Sequence, residues 1–342
     1  MTYERQDALV DASHSLSTNT EHPTQSASMS IIEQDVESWE NLIEILYERS
    51  WQEDLKRYRS NYVFRGLTDR DYNLQTSLRR LDGPFAKLER HLLRNFRKYA
   101  PLGNVDQYFS DWKWLTIGQH HGLPTRFLDW TYSPFVALHF ATANIDKYDK
   151  DGVVWCVDFM RAHQSLPEPL KKQQEYTGSN AFTLGMLERA AKKIKDFDTL
   201  SSDPFVVFYE PPSMDERIVN QFALFSVMSD PATCIDDWLS QTPNLAKRII
   251  IPSKLKWEIR DKLDQANITE RVLFPGLDGL AAWLRRHYSP TIYHFTPGMA
   301  SSLPANSLPS RPLEPKPQRK NRPVSENSNT GRRRVKFRLK KL

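Results

Sequence analysis

From Asp35 to about Leu55, Trp39, Leu42, Ile43, Ile45, Leu46 and Trp51 recur at helical spacing and predict one amphipathic helix. Asn61 to Leu67 (NYVFRGL) reads as a buried strand ending at Arg65-Gly66, and Pro84 to Ala100 as a second helix with Phe85, Leu88, Leu92, Leu93 and Phe96 on one face. Gly152 to Phe159 (GVVWCVDF) is a β-branched run bounded by Asp151-Gly152, and predicts a strand. A helix is predicted around Leu184–Lys195, a strand from Pro204 to Tyr209, a strand or strand pair from Arg217 to Met228, and a short strand from Arg248 to Ile251. Ser253–Ala266 and Leu277–His287 read as helices, with Thr269–Phe274 extended between them. Helices gather early and strands dominate the middle. The pattern predicts an α+β fold, a single mixed-sheet domain with N-terminal helices, and not a regular βαβ array.

The densest stretch is Trp112–Ala143, WKWLTIGQHHGLPTRFLDWTYSPFVALHFATA. Gln119, His120, His121, Thr125, Arg126 and Asp129 crowd together there, more polar chemistry than a core segment needs. Gly122 and Pro124 fix a turn, and Arg126–Trp130 reads as a short strand. Ser133 then caps a helix whose first residue is Pro134. Phe135, Val136, Leu138, Phe140 and Ala141 make that helix apolar on nearly every side, so it is expected to be buried. A buried helix start beside a polar, histidine-rich turn suits the wall of a pocket.

The 342 residues suffice for a real core. Residues 1–34 are polar and without periodicity, and residues 296–342 are rich in Pro, Ser, Asn and Arg; both are expected to be disordered around a folded domain at 35–295. Of 47 basic and 42 acidic side chains, 12 and 2 fall within 311–342, which leaves 35 against 40 elsewhere. The body is mildly acidic and the tail alone makes the chain basic. Arg332, Arg333, Arg334, Lys336, Arg338, Lys340 and Lys341, interleaved with Val335, Phe337 and Leu339, form a block suited to nucleic acid, ahead of anionic lipid; a solvated charge run is the bland alternative. Two cysteines, Cys156 and Cys234, make no disulfide framework and lack metal spacing, so a reducing, cytoplasmic setting is expected and no metal. No apolar run approaches the roughly 18 residues of a membrane span, and no Walker loop, dinucleotide glycine fingerprint or nucleophile elbow is present.

Phe64-Arg65-Gly66, Leu74–Leu81, Gln119–Ala141, Arg217–Phe225 and Leu273–Leu280 (LFPGLDGL) together resemble the FRG domain family, over about residues 38–290. That family usually has an acidic residue where Gly276 stands. Its members occur in microbial genomes, some near defence or mobile-element genes, so the resemblance implies a toxin or defence-effector role. A second resemblance, in element order, is to ADP-ribosyltransferases. These hold NAD with an arginine at the end of an early strand, follow with hydroxyl residues and an Ala-x-x-Phe helix, and then carry a glutamate. Here Arg65, then Thr131 and Ser133, then Ala137 and Phe140 stand in that order, with Gln221 in the third element and Glu216 close enough in sequence to replace the glutamate.

The second resemblance implies NAD as cofactor, with Arg65, Gly66, Thr125, Arg126 and Asp129 binding it and His121, Glu216 and Gln221 as catalytic candidates. A guanidinium offers a planar fork of donors to phosphate, and Gly66 would let a ligand approach the backbone. Each residue has a structural reading beside this one. Arg65 is either an anion clamp or the partner of a buried carboxylate such as Asp129, and Arg126 either touches ligand or sits in a core ion pair. Of the two histidines His121, beside Gly122, is the acid–base candidate; both alternatively bond backbone carbonyls. Gln221 serves either ligand or scaffold. Trp112, Trp114 and Trp130 are expected in the core. Two functions stay open: an enzyme transferring a glycosyl group from NAD, and a non-catalytic module for a nucleotide-type ligand or nucleic acid, anchored by the tail. Both place Arg65, His121 and Gln221 on one cavity.

Overall fold

The computed structural model of the protein describes residues 31–100 and 109–289. Its strands are β1 Ile32–Asp35, β2 Trp51–Gln52, β3 Arg57–Tyr58, β4 Tyr62–Leu67, β5 Phe127–Thr131, β6 Gly152–Asp158, β7 Phe182–Thr183, β8 Val206–Glu210, β9 Ala223–Met228 and β10 Ala246–Ile251. Eight of them build one mixed sheet in the order β1-β10-β6-β4-β5-β9-β8-β7, parallel only at its two edges. β2 and β3 form a separate hairpin. With helices on both faces, this is an α+β domain around one large mixed sheet.

Side chains alternate across the pleat, and the buried residues sort accordingly. One face carries Val63, Trp130, Trp155, Phe208 and Leu224, covered by Leu74 and by the helices Phe159–Ala162 and Ile235–Ser240. The other face carries two separate clusters. Phe64, Val154, Cys156 and Ile249 lie beneath the helices Trp39–Tyr47, Pro134–Ala141 and Lys256–Gln265. Phe127, Tyr209, Phe225 and Val227 lie beneath Asp111–His120 and Leu184–Ala190. The two clusters meet where β4 adjoins β5. Those strands share one register pair, Phe64 opposite Thr131, whereas β4 pairs with β6 over six positions. The sheet is therefore splayed along this seam.

Local chemistry explains where the elements begin. The Ser133 hydroxyl accepts from the Val136 amide and Pro134 opens the helix, as its sequence predicts. That helix packs so tightly on β4 that a Cβ at Gly66 would lie 1.8 Å from the Ala137 carbonyl oxygen and 2.6 Å from the Ala141 nitrogen. Gly66 is thus required by the helix above it, a packing reason that stands beside the expectation that it makes room for a ligand. Trp112, Trp114 and Trp130 are all in the core.

Four stretches differ from expectation. The helix predicted over 35–55 is shortened to Trp39–Tyr47: Ser38 caps its start, and Arg49, with φ of 59°, leads out of it toward the hairpin. Ile32–Asp35, whose first three residues fall in the stretch assigned to disorder, adds a parallel edge strand held to β10 and by the Glu33–Arg248 ion pair. Arg217–Met228 divides into a helix Glu216–Asn220, capped by Asp215, and β9. Thr269–Phe274 is a short helix, Glu270–Leu273, because Glu270 is clamped by Arg260 and Arg286. No helix among the described residues is long and apolar enough to cross a membrane. The expectations for residues 1–30 and for 296–342, the basic block included, lie outside the described residues.

Candidate functional site

At the splayed seam lies a cavity of about 250 Å³, floored by Phe64 and Thr131 and walled by Phe140 on one side and Phe225 on the other. Its polar lining comes from three places: Arg65 on β4, Asp129 on β5 with Gln119 and His120 from the end of the 111–120 helix, and Arg217 and Gln221 on the short helix before β9.

Arg65 alternates to the opposite face from Phe64 and Gly66, yet its Nη1 reaches across to donate to the main-chain carbonyl of Asp129 at 2.5 Å. Its Nε is buried with no partner. Burial lowers its pKa from the usual arginine value; the Asp129 carboxylate opposes that shift and the Arg80 charge adds to it. Arg217 lies over the Phe274 ring at 4.9 Å. Among the described residues neither guanidinium is in an ion pair, in contrast to Arg126, Arg260 and Arg286, which are all paired with carboxylates. For Arg65, half-buried with its Nε sealed and unpartnered, a guanidinium without a carboxylate is costly to keep unless an anion visits it; Arg217 is exposed and carries no such cost.

The carboxylate of the cavity is aimed by a relay. The Thr125 hydroxyl, fully buried, donates to Gln119 Oε1 at 2.5 Å and accepts from the Phe127 amide. That fixes the Gln119 amide so that its Nε2 donates to both Asp129 oxygens at 3.1 Å. Asp129 itself remains exposed. At the neighbouring position His120 Nε2 lies 2.5 Å from Asp215 Oδ2, while Asp215 Oδ1 caps the 216–220 helix. The His–Asp pair is therefore held at its aspartate end.

The structure divides the sequence candidates. Arg65, Gly66, Asp129 and Gln221 line the cavity. Thr125 stands behind it and acts through Gln119. Arg126 does not line it: 2% exposed, it donates to both oxygens of Glu89 (2.8 and 3.0 Å from Nε) and to Asp198 (2.5 Å), so its donors are spent in the core. His121 is exposed at the helix C-terminus and does not line the cavity; its neighbour His120 does. Glu216 is exposed in the first turn of its helix and is also outside. Gln221 spends its Nε2 on the Leu273 carbonyl (2.9 Å), and its own carbonyl accepts from Thr131 (2.7 Å), so its side-chain amide ties scaffold together at the cavity edge.

Sequence reasoning noticed Gln119 in the dense polar stretch but gave it no role, and left out Arg217 and Asp215 as site residues. Arg217 was concealed because its stretch reads as a strand, which gives no reason to expect the residue at a helix turn facing the seam. Helical spacing offered one signal: with 111–120 helical, Gln119 and His120 fall in the last turn, ahead of the Gly122 turn. Among the described residues the one group arranged for a metal is Cys234, Asp236 and Asp237, whose ligand atoms lie within 4.8 Å of one another and none of which lines this cavity. Burial, with Asp236 adding, pushes the Cys234 thiol up to about 12.

Compared with known proteins, residues 60–150 match the family model of the FRG domain. No curated protein and no solved structure matches the chain. The matched segment contains Arg65, Gln119, His120 and Asp129 but not Arg217 or Gln221.

Proposed function

Since residues 60–150 are an FRG domain, we propose that this domain, completed by the 216–220 helix, binds an anionic nucleotide-type ligand and transfers a glycosyl group from it, with NAD as the donor. The observation that carries the reading is the pairing of two guanidiniums free of ion pairs, Arg65 and Arg217, with one aimed carboxylate, Asp129, on a single cavity. The guanidiniums suit the phosphates. NAD supplies an N-glycosidic bond whose cleavage leaves positive charge on the ribose and the electron pair on nicotinamide. Asp129 stabilises that charge, the part a glutamine at position 221 plays poorly. His120, oriented by Asp215, accepts the proton of the incoming hydroxyl or amine. Acting on cellular NAD or on a target macromolecule, such a protein would serve as a toxin or defence effector.

A second reading keeps the pocket and drops the turnover: a nucleotide or nucleic-acid binding module, anchored by the basic tail. The commitment of the Gln221 amide to Leu273 favours it, because that side chain is not free to orient a ribose. One experiment tests both. Purified protein is incubated with NAD, nicotinamide release is followed, and binding is measured by calorimetry beside Arg65→Ala and Asp129→Asn. The glycosyl-transfer reading expects release by the natural chain, lost in Asp129→Asn with binding kept, and binding weakened tenfold or more in Arg65→Ala, as expected for a charge-assisted hydrogen bond worth about 1.5–3 kcal/mol. Binding without release selects the second reading, and neither binding nor release defeats both.

A further inference from the structure

On the opposite face of the sheet from Phe64 and Gly66, an open cleft of about 760 Å³ lies against β6, β10 and β1. Register sets Arg65, Trp155, Arg248 and Glu33 side by side across β4, β6, β10 and β1, so Trp155 is the cross-strand neighbour of the arginine at the first cavity. Three polar atoms at this cleft are buried and without a partner: Trp155 Nε1, Arg248 Nε and Asp236 Oδ1. They are three of ten such atoms among the described residues, gathered at one place. Trp155 is 3% exposed, so no solvent-facing rotation explains its unmet donor.

Neighbouring bonds leave these atoms where they are. The Arg248 guanidinium lies over the Trp155 ring at 5.3 Å, and its two terminal nitrogens are held by Glu33 and by the Arg70 carbonyl, which leaves Nε as the idle donor. Asp236 uses its other oxygen for a 3.4 Å contact with the Leu74 amide, and the Cys234 thiol also bonds to this carboxylate, so the two donors Trp155 Nε1 and Arg248 Nε are the emptier side of the cleft. A buried polar atom left without its bond destabilises the fold, so a ligand that supplies two acceptors and a donor relieves several such penalties together. The charge of the lining limits what that ligand is. Glu33, Asp71, Asp236 and Asp237 stand against Arg70 and Arg248, an excess of carboxylates that repels phosphate. The exposed ring of Tyr72, also on the cleft, offers a flat apolar surface.

We infer that this cleft is a second binding site, for a nucleobase presented without phosphate: an uncharged planar ring whose edge carries hydrogen-bond acceptors beside a donor. Trp155 and Arg248 donate to that edge, Asp236 accepts from it, and Tyr72 covers one face of the ring. The site does not depend on the function proposed for the first cavity.

Adenosine, guanosine, cytidine and uridine are titrated into the full chain by calorimetry, and into Trp155→Phe, Asp236→Ala and Arg65→Ala, with circular dichroism to establish that each variant is folded. At least one nucleoside is expected to bind with millimolar affinity or tighter. Trp155→Phe and Asp236→Ala should each weaken it by about tenfold, equivalent to about 1.4 kcal/mol, and Arg65→Ala should leave it unchanged. The inference is overturned if no nucleoside binds, or if binding survives in both cleft variants. It is also overturned if only Arg65→Ala removes binding, which would assign the nucleoside to the first cavity. Asp236 is half-exposed, so Asp236→Ala keeps the test decisive should Trp155→Phe fail to fold.

Discussion

Replacing Gly66 with alanine separates the two meanings a glycine beside the cavity can have. The added methyl would sit 1.8 Å from the Ala137 oxygen, 2.6 Å from the Ala141 nitrogen and 2.9 Å from the Ala137 carbonyl carbon, all main-chain atoms of one buried helix. No side chain can swing aside. To reach an ordinary contact of 3.4 Å, helix and strand must part by about 1.6 Å, and Ala137, Leu138 and Ala141 on that helix are fully buried. Overpacking usually costs about 1–3 kcal/mol; an obstacle of rigid backbone puts this case at the upper end, about 3 kcal/mol or more. For a domain of this size each kcal/mol lowers Tm by about 2–4 °C, so a fall of roughly 6–12 °C is expected. Urea and thermal unfolding of Gly66→Ala measure it directly. Unchanged stability with lost ligand binding would refute the packing account and restore the view that the glycine admits a ligand.

Other consequences are equally concrete. Arg126→Met leaves Glu89, 1% exposed, as a buried carboxylate without its guanidinium, and should cost about 3–5 kcal/mol by chemical denaturation; a stable variant that only loses ligand would return Arg126 to the binding site. Burial first, then the Arg260 charge, lowers the His139 pKa to about 3, and burial lowers that of His163 to about 4. The unfolded chain therefore binds protons below its ordinary histidine value of about 6.5 that the folded chain refuses, and stability should fall with pH through the window from about 6.5 to 4. His163→Asn should flatten the fall, and a stability independent of pH in that window would contradict it. Burial raises the Glu270 carboxyl, but its bonds to Arg286 and the Arg260 charge win and hold it at about 2, so a further loss is expected between about 4.5 and 2, absent in Glu270→Gln. Deleting residues 311–342 should abolish salt-sensitive retention on immobilised nucleic acid, since counterion release by its 12 basic side chains drives such binding; unchanged retention would discard that assignment.

What the chain announces in its letters, and what it withholds, follows from how far each signal reaches. Pro84–Ala100, Gly152–Phe159 and Leu277–His287 are legible because their patterns are local and long: the structure has a helix at Phe85–Tyr99, a strand at Gly152–Asp158 and a helix at Leu277–His287. Glu216–Asn220 and Glu270–Leu273 are each about one turn long. Such a turn carries no period of its own and exists because Asp215 caps it or because Arg260 and Arg286 grip Glu270 from elsewhere in the chain. The candidate site repeats the same contrast. Arg65 and Asp129 are visible as charged residues within strands, but Arg126 looks identical to them in sequence. Only its partners, Glu89 and Asp198, 37 and 72 residues away, distinguish a spent guanidinium from a free one.

Adjacent residues on β4 show why the seam concentrates chemistry. Arg65 and Gly66 point to opposite faces: the glycine lets the 134–141 helix settle onto one face, while the arginine rises from the other and reaches across the gap to Asp129. Close packing of that helix on β4 accompanies a single register pair between β4 and β5, Phe64 opposite Thr131, two residues before the Ser133 cap of the helix. A wider side chain at position 66 would push the helix outward and with it the Phe140 wall of the cavity, so packing and site geometry are coupled through one residue. The coupling predicts an order of effects: in Gly66→Ala the hydrogen bond from Arg65 to the Asp129 carbonyl should weaken together with stability, read as faster amide exchange along β4 and β5. Protection lost on β4 alone would mean that the two strands respond independently and that the seam is not one mechanical unit.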